Sequence, residues 1–167
     1  FFAYAPQFSS GIFVACGDVN GDGYADIITG AGAGGGPHVQ VFSGLDNSII
    51  ASYFAYSTVF TGGISVASGD LNADGFSDVI TGAGAGGGPH VLGLSGQALI
   101  VGQQVALANF FAFDPGVTRG IFVASGDFDN NGSIEVVLGD LNGFLHVFNA
   151  NGQYVSENWP IQLGSSL

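Results

Sequence analysis

The sequence predicts an all-β protein made of three four-stranded blades of a β-propeller, and three observations predict it. Blocks of sequence recur at a nearly constant spacing. Each block holds four short apolar runs rich in Val, Ile and Phe, and clusters of Gly, Asn and Asp separate those runs. Helical periodicity is absent, and four strands in about 50 residues is the size of a propeller blade.

The blocks are plain once aligned. Phe2-Ala3-Tyr4 returns as Phe54-Ala55-Tyr56 and as Phe111-Ala112-Phe113, offsets of 52 (54 − 2) and 57 (111 − 54) residues. Gly11-Ile12-Phe13-Val14-Ala15 returns at 63–67 and 120–124, and TGAGAGGGPHV at 29–39 is repeated without change at 81–91. In the first block the expected strands are residues 12–16, 26–29, 38–42 and 49–56. Asn20-Gly21 and Asp22-Gly23, the glycine run to Pro37, and Asp46-Asn47 supply the turns between them. The whole chain, residues 1–167, is expected to be a single repeat domain, with repeats at about 9–56, 57–113 and 114–162. Residues 1–8 match the last strand of a preceding blade. The extra length in the second repeat falls at 97–104, as a longer hairpin loop, and residues 153–161 are expected to form the last outer strand. Three units fall short of the usual four to eight blades. The chain is therefore an arc: a segment of a larger propeller, or a protomer that completes a ring as a homo-oligomer.

Composition narrows the partners. Thirteen acidic residues stand against one basic residue, Arg119, a formal net charge of −12. Such a chain cannot neutralise phosphates, so nucleic acid is excluded as a partner and anionic membrane surfaces are disfavoured. No apolar stretch spans a membrane: the longest, residues 98–113, is broken by Gln103, Gln104 and Asn109. The single cysteine, Cys16, can form no internal disulfide and aligns with Ser68 and Ser125, which marks it as a small buried residue. Arg119 is expected to pair locally with Asp114.

An acidic chain attracts cations, and its carboxylates are clustered. Between the first two strands of each block the same loop recurs: Asp18-x-Asn20-x-Asp22-Gly23-Tyr24-x-Asp26, Asp70-x-Asn72-x-Asp74-Gly75-Phe76-x-Asp78, and Asp127-x-Asp129-x-Asn131-Gly132-Ser133-x-Glu135. Oxygen-bearing side chains stand at positions 1, 3, 5 and 9, with glycine at 6. Ca²⁺ takes six to eight hard oxygen ligands at about 2.3–2.6 Å, and alternate side chains of a tight loop converge on one centre. Glycine permits the sharp turn, and position 7 offers its backbone carbonyl, from Tyr24, Phe76 and Ser133, so its side chain is free to vary. Mg²⁺ prefers a smaller shell with retained waters, and zinc would want the His or Cys that these loops lack. Nor are these EF-hands: position 12 is Thr29, Thr81 or Leu138 in place of a bidentate Glu. Asx-rich turns occur without metal. Here, however, nine of the 13 acidic residues sit in three equivalent loops, and crowding them without a cation raises their pKa values. Three Ca²⁺ sites are expected, with the third departing from the pattern at Asn131 and Glu135.

The pattern GDxNxDGxxDxITGAGxGGGPHVxVF at residues 17–42 resembles the FG-GAP/VCBS repeats of integrin-α-like propellers, and in particular long bacterial secreted or surface proteins built from them. The resemblance covers nearly the whole chain in three copies. It implies a propeller with Ca²⁺ between the first two strands of each blade, an extracellular or cell-surface setting, and adhesion modules, lectins or the non-catalytic parts of larger enzymes as relatives. The third copy lacks the glycine run and reads Gly139-Asp140-Leu141-Asn142-Gly143.

Other features carry less. The glycine runs lack the G-K-[ST] ending of a phosphate loop and are read as sites of close backbone approach. His38, His90 and His146 recur once per repeat and are read as structural hydrogen-bonding residues. Asn131-Gly132-Ser133 is a glycosylation sequon on a metal-ligand position and is discounted. No nucleophile–base pair and no lysine are present, so the chain is expected to be no enzyme. The expected function is a calcium-binding structural or adhesion module that meets protein or glycan at the cell surface. The alternative is a lectin whose Tyr4, Tyr56, Tyr154 and Trp159 stack on sugars.

Overall fold

The computed structural model describes residues 1–163, so the last four residues of the expected 1–167 domain lie outside it. Three antiparallel sheets of four strands each follow one another along the chain. The first blade is β1 (Ile12–Gly17), β2 (Asp26–Ala31), β3 (His38–Phe42) and β4 (Ile49–Phe54). The second is β5 (Ile64–Gly69), β6 (Asp78–Ala83), β7 (His90–Leu94) and β8 (Ala106–Phe111), with a one-turn helix α1 (Gly96–Leu99) between β7 and β8. The third is β9 (Phe122–Gly126), β10 (Glu135–Gly139), β11 (Phe144–Phe148) and β12 (Ile161–Gln162). Each sheet is a simple meander, because consecutive strands joined by short turns pair with each other. This is the blade architecture of a β-propeller.

Burial follows strand position. β6 is buried along its whole length and β2 nearly so, whereas β4 alternates as the outer edge of its sheet. The apolar cores lie at the junctions: one joins Val19, Ile28, Val41 and Tyr53 to Ile64 and Val66, and the other joins Ala67, Ile80 and Val91 to Ile121, Val136 and Phe148.

Glycine makes the junctions possible. A methyl group placed on Gly30 would lie 2.8 Å from Val66 Cγ1 and 3.0 Å from the Ile64 carbonyl, and one on Gly82 would lie 2.7 Å from Val123 Cγ1. The ridge Ile-x-Val on each inner strand thus presses into a side-chain-free groove on the blade before it. At the opposite end of the blades from the acidic loops, the glycine-run N–H groups of Gly34 and Gly86 donate to the carbonyls of Thr61 and Thr118, in the linkers entering the next blade. The expected close backbone approach is realised there. Tyr56 adds a further tie: its hydroxyl donates to the carbonyls of Thr81 and His90 in the second blade, and Tyr4 treats Thr29 and His38 of the first blade in the same way.

Several expectations need correction. Residues 1–8 form turns and bends, not a strand, because no neighbouring strand pairs with them. Tyr4 nonetheless ties into the first blade as Tyr56 ties into the second. The expected loop at residues 97–104 overlaps the helical turn α1, which Ser95 initiates by accepting the Ala98 N–H at its hydroxyl. The expected outer strand at 153–161 shrinks to the bridge Phe148–Tyr154 and the two-residue β12, since Tyr154 folds onto Phe148 with ring centroids 4.4 Å apart. Cys16 is exposed, because β1 carries no blade over its outer face. Arg119 reaches Asn142 Oδ1, while Asp114 accepts the Gly116 N–H in a local turn.

Gly82→Val is expected to destabilise the protein by about 1–3 kcal/mol through overpacking against Val123 and Ile121. Urea unfolding with calcium held constant measures this, and an unchanged midpoint would contradict the tight junction.

Candidate metal centre

The three acidic loops occupy one end of the blades, each between its first and second strands. Their backbone follows one recipe. Position 6 is a glycine in the left-handed region, at φ 89° in Gly23, 89° in Gly75 and 87° in Gly132. Position 4 is left-handed as well, in Gly21, Ala73 and Asn130. Two such residues fold nine positions into a compact turn.

Position 1 anchors that turn. Asp18 accepts the N–H groups of Gly21 and Asp22 at Oδ1 and that of Gly23 at Oδ2, over 2.8–3.1 Å. Asp70 and Asp127 accept the matching N–H groups of Asp74 and Gly75, and of Asn131 and Gly132. Position 5 accepts from position 7: Tyr24 N–H to Asp22, Phe76 N–H to Asp74 and Ser133 N–H to Asn131.

Position 9 is the buried end of each loop. Asp26 and Asp78 are fully buried and Glu135 is 1% exposed. One oxygen of each accepts a loop N–H, from Val19 at 2.9 Å, Leu71 at 2.7 Å and Phe128 at 2.7 Å. The second oxygen of Asp26 takes the Gly44 N–H, and that of Asp78 the Gly96 N–H, so each aspartate ties the loop to the end of the third strand. Burial pushes the Asp78 carboxyl up to about 6, against the pull of the Gly96 and Leu71 N–H groups, and the charges of Asp74 and Asp70 raise it further. A nearby dication would act in the opposite direction.

The third loop gathers its carboxylates most closely. Oxygens of Asp127, Asp129 and Glu135 all lie within 4.8 Å of one another, and among the described residues only these three acidic groups do so. Asp18, Asp22 and Asp26, and likewise Asp70, Asp74 and Asp78, stand around their loops without reaching that closeness. Position 3 is a carboxylate only in the third loop, as Asp129; Asn20 and Asn72 stand there in the other two and donate their amides to Asp22 and Asp74 at 3.0 and 2.9 Å. The loop that departs most from the repeat pattern is therefore the one whose positions 1, 3 and 9 are all carboxylates.

These residues fit a hard divalent cation. The donors are all oxygens, three carboxylates converge in the third loop, and the other two loops repeat its backbone. Asp127, Asp129 and Glu135 would hold the ion there, with Asn131 and the Ser133 carbonyl as further oxygen donors. In the other loops the corresponding groups are Asp18, Asn20, Asp22, Asp26 and the Tyr24 carbonyl, and Asp70, Asn72, Asp74, Asp78 and the Phe76 carbonyl. A bound dication supplies positive charge to a crowded acidic turn.

A family model described as FG-GAP repeat matches residues 10–44 and 62–100. Those two stretches are FG-GAP repeats. Both matched segments run from the entry of an inner strand past the end of the third strand, so each takes in one acidic loop. FG-GAP repeats are propeller-forming, are often calcium-binding, and are typical of extracellular or surface proteins. Among the described residues no helix is long and apolar enough to cross a membrane.

Two site features escaped the sequence reading. Gly44 and Gly96 hold the position-9 carboxylates from a distant turn, and their signal was the recurring Ser43-Gly44 and Ser95-Gly96. Position 7 is also less free than expected: a methyl group on Gly21 would lie 2.7 Å from Phe76 Cε1, so the Phe76 ring covers the neighbouring loop. The Ser77 N–H donates to the Asp18 carbonyl at 2.7 Å, joining the first two loops directly. The histidines are structural, as expected: His38 bonds Ser52 and stacks on Phe54, His90 bonds Asn109, and His146 bonds Tyr154.

In metal-free protein, Asp78→Ala strands two backbone N–H groups and is expected to cost about 2–4 kcal/mol. The exposed Asp74→Ala is expected to cost less than about 0.5 kcal/mol. Chemical denaturation in chelator compares them, and equal effects would contradict the division between a buried tie and an exposed ligand.

Proposed function

We propose that this chain is a calcium-stabilised extracellular scaffold or adhesion module without catalytic activity, which meets protein or glycan at a cell surface. The observation that carries this reading is the convergence of Asp127, Asp129 and Glu135 in a loop whose backbone recurs in the other two blades. Ca²⁺ in each loop would pin the first two strands of its blade. Three ions would also bring the formal charge from −12 to −6, that is −12 + 3 × 2.

The scaffold reading is preferred over the lectin. Tyr4 and Tyr56 commit their hydroxyls to backbone carbonyls of a neighbouring blade, and Tyr154 lies stacked on Phe148. The Tyr4 and Tyr56 hydroxyls are thereby committed to the fold and are not free to bind a sugar. FG-GAP propeller domains are generally structural modules, and the histidines, the usual general bases, are each bound into a strand pair or a stack.

A site kept at a hundredfold excess of calcium over its Kd adds about 2.7 kcal/mol to folding. Thermal unfolding in calcium, in magnesium and in EGTA tests the reading. Calcium is expected to raise the Tm well above the other two conditions, and a Tm indifferent to EGTA would overturn it.

A further inference from the structure

The first two acidic loops touch each other, and one peptide group belongs to both. Its N–H is that of Ser77, which donates to the Asp18 carbonyl at 2.7 Å. Its carbonyl is that of Phe76, the position-7 oxygen of the second loop. A peptide is planar, so whatever fixes the direction of one end fixes the other. Asp18 is in turn the anchor of the first loop, accepting the N–H groups of Gly21, Asp22 and Gly23 on its carboxylate.

The Phe76 ring adds a second contact, since a methyl group on Gly21 would lie 2.7 Å from Phe76 Cε1. The turn itself does not demand glycine at this fourth position. Ala73 and Asn130 take φ 59° there with side chains in place. Glycine at Gly21 is instead what leaves room for the ring. Gly96, whose N–H holds Asp78, comes so near the first loop that a methyl group on it would lie 3.2 Å from the Val19 carbonyl oxygen. The Val19 N–H holds Asp26, so neighbouring backbone joins the buried carboxylates of the two loops. The third loop is attached more loosely. Among the described residues it donates no backbone hydrogen bond to the second loop, and its position 7 is Ser133, without a ring. It meets the second blade through Ile134 beside Gly69.

We infer that the first two calcium sites are coupled, with Phe76 and Ser77 of the second blade as positioning residues for the first site. The third site fills on its own. This rests on the calcium reading proposed above. With the Phe76 carbonyl turned to its own loop as a ligand, the Ser77 N–H is held on the Asp18 carbonyl, and linked hydrogen bonds polarise one another. Asp18 is then already fixed at position 1, so the first site loses less conformational freedom when it fills. The coupling is reciprocal: the first site changes the affinity of the second by the same factor. Repulsion between bound ions opposes it, and physiological salt screens charge over about 8 Å.

Terbium, a luminescent stand-in for calcium, reads the first site through Tyr24, because only that loop has a tyrosine at position 7 to sensitise it. The emission lost in Tyr24→Phe belongs to the first loop. Its displacement by calcium at about 0.15 M salt gives that loop's calcium affinity. Asp74→Ala, which removes a ligand of the second site alone, is expected to weaken the first-loop affinity about fivefold or more. Asp129→Ala in the third loop is expected to leave it unchanged. Phe76→Ala is expected to weaken it as well, and Phe76→Leu, which still covers Gly21, to restore most of it. An unchanged affinity in Asp74→Ala, or an equal loss in Asp129→Ala, would overturn the coupling and leave the calcium reading standing. Absence of any calcium-displaceable emission from the parent chain would overturn both.

Discussion

A buried carboxylate at the ninth loop position is the constraint on which the rest of this structure depends. Asp26 and Asp78 lie fully inside the protein, each holding an N–H of its own loop with one oxygen and an N–H beyond the third strand with the other. Removing such a charge from water costs several kcal/mol unless hydrogen bonds or a counter-charge repay it. The two N–H groups provide part of that compensation. The exposed half of the loop, with its carboxylates at positions 1 and 5 or 1 and 3, provides a place for a cation to complete it. On the proposed reading stability and metal affinity would arise from the same side chain, and the loop ties its own first turn to the turn beyond the third strand.

Blade-to-blade packing rests on a second, simpler device. Gly30 and Gly82 leave room on one sheet for an Ile-x-Val ridge on the next, and Tyr4 and Tyr56 tie backbone carbonyls across the same gaps. The third repeat changes this device in concert. Phe113 replaces the tyrosine and Leu138 replaces the threonine beside it, so the hydroxyl and its partner are lost together. An apolar pair fills the space without leaving an unpaired polar group. His146 there bonds the Tyr154 hydroxyl and packs against Phe113, with ring centroids 5.1 Å apart.

Much of this was legible in the sequence because repetition amplifies weak local signals. β3 was expected at residues 38–42 and spans His38–Phe42, and the glycine at position 6 takes the left-handed conformation its place demanded. What was not legible depends on what lies beside a segment. Residues 1–8 copy a strand sequence but have no strand to pair with, and Cys16 copies a buried position on a blade whose face is uncovered. Side-chain convergence is equally contextual. Asp127, Asp129 and Glu135 bring oxygens within 4.8 Å of one another, a closeness that became visible only through the fold. Gly44 and Gly96, distant in sequence from the loops they support, became visible only through the fold.

The central claim is that the three loops are calcium sites of one design, and calorimetric titration of metal-free protein with calcium tests it most directly. The account predicts three ions per chain in the parent protein and two after Asp127→Ala. A titration with no binding up to millimolar calcium, or one whose stoichiometry is untouched by that substitution, would contradict it.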